Sequence, residues 1–331
     1  MKPKPSALDS LADAARQSHL GRDQPARLVA GLLLVDKPRG LTSHDVVGLA
    51  RRALGSRRVG HAGTLDPMAT GLLPILVGEA TKLAPYVVGR PKEYEGTLEL
   101  GSETDTLDAE GSVTRSEPLP DGLSATRIEQ AWRPLVGGYA QRPPAVCAIK
   151  QGGEALYRKA RRGEHVDPMP RRVELHALEL IHYAAPFVVF RVRCGSGFYV
   201  RSLARDVAER LGTVGHLVQL RRTAVSPFSV ESALSVGLMR RAAAGQNEAR
   251  LRLRQALLPA TTACCWLPRL WLTATGLADA RHGRRVSLNA VIGDVPFGRG
   301  PAMLLDAAAQ LVAIGRRDGD VFRVVRGFNL G

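Results

Sequence analysis

A carboxylate, Asp66, stands before a proline at the centre of residues 58–82, a stretch punctuated by Gly60, Gly63, Gly71 and Gly78 and by Pro67 and Pro74. Glycine and proline at this density specify a loop of fixed shape between regular elements. Asp66 is therefore the site candidate, although an Asp-Pro step is also an ordinary turn initiator and His61 also suits a turn or a core. A glycosidase-like pair of carboxylates needs a second acid, and Asp105 and Asp108 in the 103–111 loop are available. That loop, rich in Asp, Thr and Gly, equally suits a hairpin turn.

Neither GxxxxGK[ST] nor GxGxxG occurs around Asp66, so nothing there suggests ATP or a dinucleotide. GxSxG and HExxH are absent too, leaving no hydrolase signature. The four cysteines (Cys147, Cys194, Cys264, Cys265) suit neither a zinc knuckle nor a disulfide framework, and reduced thiols without a structural metal are expected.

The elements that must hold these residues read as α+β. Residues 31–35 form a continuous apolar run, expected as a buried strand, followed by a Pro/Gly turn. Ser43 is expected to cap a helix reaching Leu54, with Val46, Val47, Ala50 and Leu54 on one face and Gly55 as its stop. Residues 92–101 alternate, with Tyr94, Gly96, Leu98 and Leu100 on the apolar side. Further strands are expected at 173–182 and 187–193, then a Gly195–Gly197 turn into a helix ending at Leu211 before Gly212.

Four regions follow from this pattern. Residues 1–28 read as a flexible basic tail, 29–250 as the main α+β domain, 251–265 as a connector, and 266–331 as a small all-β module. The Arg/Ala-rich pattern over 239–259 reads as helical.

The chain has 331 residues, with 46 Lys and Arg against 31 Asp and Glu, giving a formal charge of +15. Only seven of those cations are Lys, and 39 are Arg. Arginine forks match phosphates and stack on bases, which is compatible with a nucleic-acid partner. GC-rich coding would also favour Arg at solvated positions. Apolar runs fall far short of the roughly 20 residues needed to span a bilayer, and no cleavable signal is visible, so a cytoplasmic address and a monomer are the expectations.

The blocks HAGTLDPMATGLLPILVGEATK (61–82) and GLLLVDKPRGLTSHDVV (31–47) resemble the TruB family, the tRNA pseudouridine(55) synthases. Four further blocks agree in order and spacing: KEYEGTLELGSETDTLDAEG (92–111), QRPPAVCAIKQGGEALYRKARRGE (141–164), CGSGFYVRSLARDVAERLG (194–212) and GHLVQLRRTAVSPF (215–228). The resemblance covers roughly residues 30–230. It implies a mixed, mainly antiparallel sheet of pseudouridine-synthase type and a C-terminal PUA-like RNA-binding module.

The resemblance also implies roles. The catalytic aspartate falls on Asp66, the active-site tyrosine on Tyr94 and the active-site arginine on Arg201. A uridine of the tRNA T arm would be flipped from its stack, cleaved from its ribose, rotated and rejoined through C5. Such an isomerisation needs no redox cofactor, ATP or metal. Asp66 would have to be ionised, burial disfavours the ionised form, and the Arg201 guanidinium would offset that. Tyr94 would stack on the base and assist proton transfer, Tyr199 and Leu220 would line the pocket, and His61 would fill the space left by the flipped uridine. Lys37, Arg39, Arg58, Lys82, Arg221 and Arg222 are expected phosphate contacts.

Cys147 stands where the family usually has serine, which removes a hydroxyl contact. Two readings stay open beside the isomerase: an RNA-binding or tRNA-folding chaperone acting without catalysis, and an RNA N-glycosidase that releases uracil.

Overall fold

The computed structural model describes residues 30–147, 150–151, 154–156, 162, 164, 166, 168–296 and 298–330. The expected basic tail, 1–28, lies outside the described residues.

Strand β1 (Gly31–Lys37) is apolar throughout because both its faces are covered. Leu33 and Val35 point into a core formed with helices, while Leu32 and Leu34 face a second core shared with the C-terminal module. After the 38–40 turn comes α1 (Ser43–Leu54), which buries Val46, Val47, Ala50 and Leu54 as its periodicity demands and stops at Gly55 in the left-handed region, φ 63°. The cap itself is Thr42, one residue earlier than expected. Its hydroxyl accepts from the Asp45 amide while the Asp45 carboxylate accepts from the Thr42 amide, a reciprocal capping box. Ser43 is thereby released to turn inward.

The strands β2 (Val59–His61) and β3 (Thr70–Val77) bracket the Asp66 loop. They join β4 (Lys92–Leu100), β5 (Leu175–Ala184), β6 (Phe187–Cys194), β7 (Gly215–Val225), β8 (Phe228–Ser229) and β9 (Leu234–Ser235) in one mixed sheet. Its order is β5-β6-β4-β7-β3-β1-β9, with β2 on β3 and β8 on β7. Pairing is mainly antiparallel, as expected; β7 with β3 and β1 with β9 are the parallel pairs. The strand expected at 173–182 begins two residues later, because 171–173 instead pairs with Tyr139–Gln141.

Helices α1, α2 (Ala125–Trp132) and α3 (Val200–Leu211) cover one sheet face. The helical stretch expected over 239–259 is two helices, α4 (Val236–Ala243) and α5 (Asn247–Gln255). Gly245, at φ 94°, breaks them apart. The following segment does not behave as a loose connector: Leu258 exchanges two backbone hydrogen bonds of 2.9 Å with Leu32, and Ala260, Ala263 and Cys264 are buried in the second core. At Gly31 a Cβ would lie 2.2 Å from the Leu258 carbonyl, so glycine permits this docking.

The C-terminal module is a six-stranded sheet of β10 (Arg269–Leu272), β11 (Val286–Ser287), β12 (Val291–Ile292), β13 (Pro301–Leu305), β14 (Leu311–Asp318) and β15 (Val321–Gly327), with a helix α6 (Ala274–Arg281). Met303, Leu305 and Ile314 pack against Leu32, Leu72 and Leu76 of the main sheet. No helix among the described residues is long and apolar enough to cross a membrane.

Candidate active site

The loop carrying Asp66 is pinned almost residue by residue. Ala62 donates to the Pro74 carbonyl at 2.9 Å, and the buried Arg222 guanidinium holds the carbonyls of Gly63 (2.9 Å), Thr64 (3.4 Å) and Leu72 (2.7 Å). Ser43 accepts from the Leu65 amide at 2.9 Å and donates to its carbonyl at 3.1 Å. The Pro67 carbonyl receives the Gly40 amide and the Lys37 ammonium, and Ala69 donates back to the Asp66 carbonyl. Every bond uses backbone on the loop side, so Asp66 keeps its carboxylate free for chemistry. Gly71, φ 103°, allows the Arg222 backbone so close that a Cβ would lie 2.2 Å from its carbonyl oxygen.

Across the sheet, α3 brings Arg201 to this carboxylate. The residue before α3, Tyr199, is clamped by Gln141, which accepts from its amide at 2.9 Å and donates to its carbonyl at 3.1 Å. Arg201 is 5 % exposed, not the solvated helix arginine its place beside Val200 would allow. Its Nε lies 2.9 Å from Asp66 Oδ2, close enough for an ion pair but off the line of a hydrogen bond, and Nη2 donates to Oδ1 at 3.3 Å. The guanidinium is oriented by two carbonyls, Thr106 at 2.8 Å and Val146 at 3.0 Å.

Asp108 completes the cluster. It is buried, with Oδ2 3.4 Å from Arg201 Nη1 and Oδ1 taken by the Thr106 hydroxyl and the Glu110 amide. The sequence marks Asp108 only as a loop acid available for pairing; its contact with Arg201 spans two distant blocks and leaves no local signal. Asp66 differs from it in facing outward, its side chain 35 % exposed against 5 % for Asp108. The two carboxylates thus flank one cation, and only the first is open to solvent.

Tyr94 lies half-buried on β4, opposite Arg222 in the pairing with β7. Burial pushes its hydroxyl up from the ordinary tyrosine value, the Arg222 charge partly opposing this, and the Asp66 charge acts on it as well. Tyr199 is pushed up by burial first and by the adjacent Cys147 thiol second, with Arg201 opposing. Both phenols are therefore protonated at neutral pH. Leu220 is buried opposite Gly96. His61 is held below the ordinary histidine value by burial, then by Arg222 and His44, and its buried Nδ1 has no hydrogen-bond partner among the described residues. A neutral imidazole without a protein partner is free to adapt to a ligand.

The expected phosphate contacts divide. Lys37 and Arg222 are corrections, because both side chains are buried: Lys37 gives its ammonium to the carbonyls of Pro38 (3.0 Å), Leu41 (2.7 Å) and Pro67 (3.3 Å). They shape the Asp66 loop from behind and are withdrawn from a phosphate. Lys82 and Arg58 both meet Glu79, and Lys82 also donates to the Gly327 carbonyl of β15 at 2.8 Å and lies over the Phe328 ring. Arg39 is exposed, whereas Arg221 forks onto Asp36 at 2.8 and 3.0 Å.

The family model described as the N-terminal domain of TruB family pseudouridylate synthase matches residues 51–200, and that of the tRNA pseudouridylate synthase B C-terminal domain matches 201–264. The chain is 41 % identical over 295 residues to tRNA pseudouridine synthase B of Xanthomonas campestris pv. campestris (strain B100), covering 89 % of this chain and 92 % of that protein. The chain belongs to the TruB family. Another TruB relative, tRNA pseudouridine synthase B of Xylella fastidiosa (strain Temecula1 / ATCC 700964), is 44 % identical over 261 residues, 78 % of this chain and 84 % of the relative. The archaeal box H/ACA sRNP Nop10-Cbf5 complex includes a chain of like fold, with a TM-score of 0.70, 22 % identity and coverage of 93 % of this chain and 89 % of that one. As a TruB-family member the chain is a pseudouridine synthase, an intramolecular isomerase.

Proposed function

We propose that this enzyme converts the uridine at position 55, in the T arm of tRNA, to pseudouridine, with Asp66, Arg201 and Tyr94 as its catalytic residues. The observation that carries this reading is the outward-facing Asp66 carboxylate ion-paired to the buried Arg201 guanidinium beside two protonated phenols.

The target base is first turned out of the RNA stack, and His61, a flat neutral ring without a bond to lose, fills the space it leaves. The uracil then rests between the Tyr94 ring and the apolar wall that includes Leu220 and Tyr199. The C1′–N1 bond breaks, the base rotates, and the C1′–C5 bond forms. The proton on C5 leaves and N1 ends protonated, so atoms and charge balance without an oxidant or an added group. Asp66, ion-paired to Arg201, meets the electrophilic carbon or offsets the positive charge that develops on the sugar. Tyr94, holding its proton, assists transfer at the base or sugar.

The relatives' names specify tRNA as their substrate, and a charge of +15 suits the same partner here. The enzyme acts as a cytoplasmic monomer without added cofactor. Incubating the pure protein with unmodified tRNA and mapping pseudouridine by sequencing tests the reading. A product confined to position 55 is expected. Absence of pseudouridine, or release of free uracil in its place, would overturn it.

A further inference from the structure

Next to the Asp66 loop the structure holds a cavity of about 460 Å³, lined by Asp36, Lys37, Arg39, Arg221, Gly237 and Arg240 among others. We infer that this cavity is a docking site for the RNA backbone, in which Arg39 and Arg240 grip phosphates of the strand next to the flipped uridine. The inference rests on the proposed tRNA-isomerase reading and extends it to a residue, Arg240, that no motif singles out.

Three features distinguish the cavity from an ordinary solvated charge cluster. First, its cations come from separate parts of the chain: Arg39 from the turn after β1, Arg221 from β7 and Arg240 from α4. Convergence of three such segments on one concavity is a product of the fold. Second, the Asp36 carboxylate that would repel a phosphate is neutralised inside the cavity by the Arg221 fork. Arg39 and Arg240 are exposed and have no side-chain hydrogen bond or ion pair among the described residues. Two guanidiniums therefore face the cavity with their donors uncommitted, and a phosphate is the anion their planar forks fit.

The third feature is position. Lys37 lines this cavity while its ammonium holds the Pro67 carbonyl, so one side chain forms a shared wall with the loop that carries Asp66. A strand whose base is held at Asp66 continues along its backbone on either side, and this cavity adjoins the Asp66 loop through Lys37. The volume is within the range that admits a nucleotide-sized group.

The test uses the full-length enzyme, unmodified tRNA, and Arg39→Gln, Arg240→Gln and the double variant, all at exposed positions that support no described contact. Each single change is expected to raise the Kd and KM for tRNA about fivefold and to lower the slope of log affinity against log salt by about 1, with both effects accumulating in the double variant. The single-turnover rate at saturating tRNA should stay near that of the wild type. If the wild-type enzyme forms pseudouridine in tRNA while the double variant retains its KM and salt slope, the docking site is refuted and the isomerase reading stands. If the variants instead lose rate at saturating tRNA with unchanged affinity, the cavity is not a backbone site. Failure of the wild type itself would count against the underlying function.

Discussion

Arg201 lies 135 residues from Asp66 in sequence, yet its Nε stands 2.9 Å from Asp66 Oδ2 while its two terminal nitrogens are fixed by the carbonyls of Thr106 and Val146. The cation is held by backbone from two other loops, so its position does not depend on the anion it serves.

Arg201→Lys retains the charge but cannot span Asp66, Thr106 and Val146 together, because a single ammonium lacks the planar fork. A loss of about 10²–10³-fold in single-turnover rate, with tRNA binding retained, is expected. Arg201→Ala goes further, leaving buried Asp108 without its cation, and should destabilise the fold by about 3–5 kcal/mol in denaturant titrations. Equal activity of Arg201→Lys and wild type would show that the fork is dispensable.

Asp108→Asn separates a one-carboxylate site from a paired-carboxylate one. Asp108 is buried and its Oδ1 already serves Thr106 and Glu110, so it has no route to a substrate. The variant should keep a rate within about tenfold of wild type, since Arg201 still faces Asp66. A loss as complete as that of an Asp66 variant would mean that both acids take part in the chemistry.

Arg222→Met removes the donor that binds the carbonyls of Gly63, Thr64 and Leu72. The buried Leu72 carbonyl and the partly buried carbonyls of Gly63 and Thr64 then lose this partner, at a cost of about 1–3 kcal/mol. Because Thr64 lies two residues before Asp66, turnover should fall along with the melting temperature. A variant that melts lower but turns over at the wild-type rate would show that the loop is held adequately by Ser43 and Lys37 alone.

Local sequence pattern is a sufficient guide where burial follows its period. The stripe Val46, Val47, Ala50 and Leu54 is buried as its period requires, and along β4 Gly96, Leu98 and Leu100 are buried while Tyr94, on the same side, is half-buried. The α1 cap was misplaced by one residue because Thr42 and Ser43 have similar capping ability; what decides between them is Leu65, whose amide and carbonyl claim Ser43. Lys37 and Arg222 turn inward, contrary to expectation, for a related reason. A cation in a sequence carries no mark of whether carbonyls from another segment wait for it. The loop marks Asp66 as a candidate, but its catalytic role and those of Tyr94 and Arg201 come from family resemblance, since each alone suits a turn, a core or a solvated helix.

Lys37 gives a pH signature. Burial brings its ammonium down from 10.5 to about 8, with the Asp66 charge opposing. The folded protein therefore releases this proton before the unfolded chain does. Between these values the unfolded state binds more protons, so the penalty is full below about pH 8 and is relieved as pH rises toward 10.5. Relative to Lys37→Met, wild-type stability should rise by roughly 2–3 kcal/mol over that interval. A difference that stays flat in denaturant titrations across the range would place the ammonium in water.

Asp66→Asn tests the central claim most directly, because the amide keeps the shape of the side chain and removes only its negative charge. With unmodified tRNA in single turnover, the variant should bind the RNA and form no pseudouridine. Pseudouridine formation at a rate comparable to the wild type would show that the Asp66–Arg201 pair is structural and that the chemistry resides elsewhere.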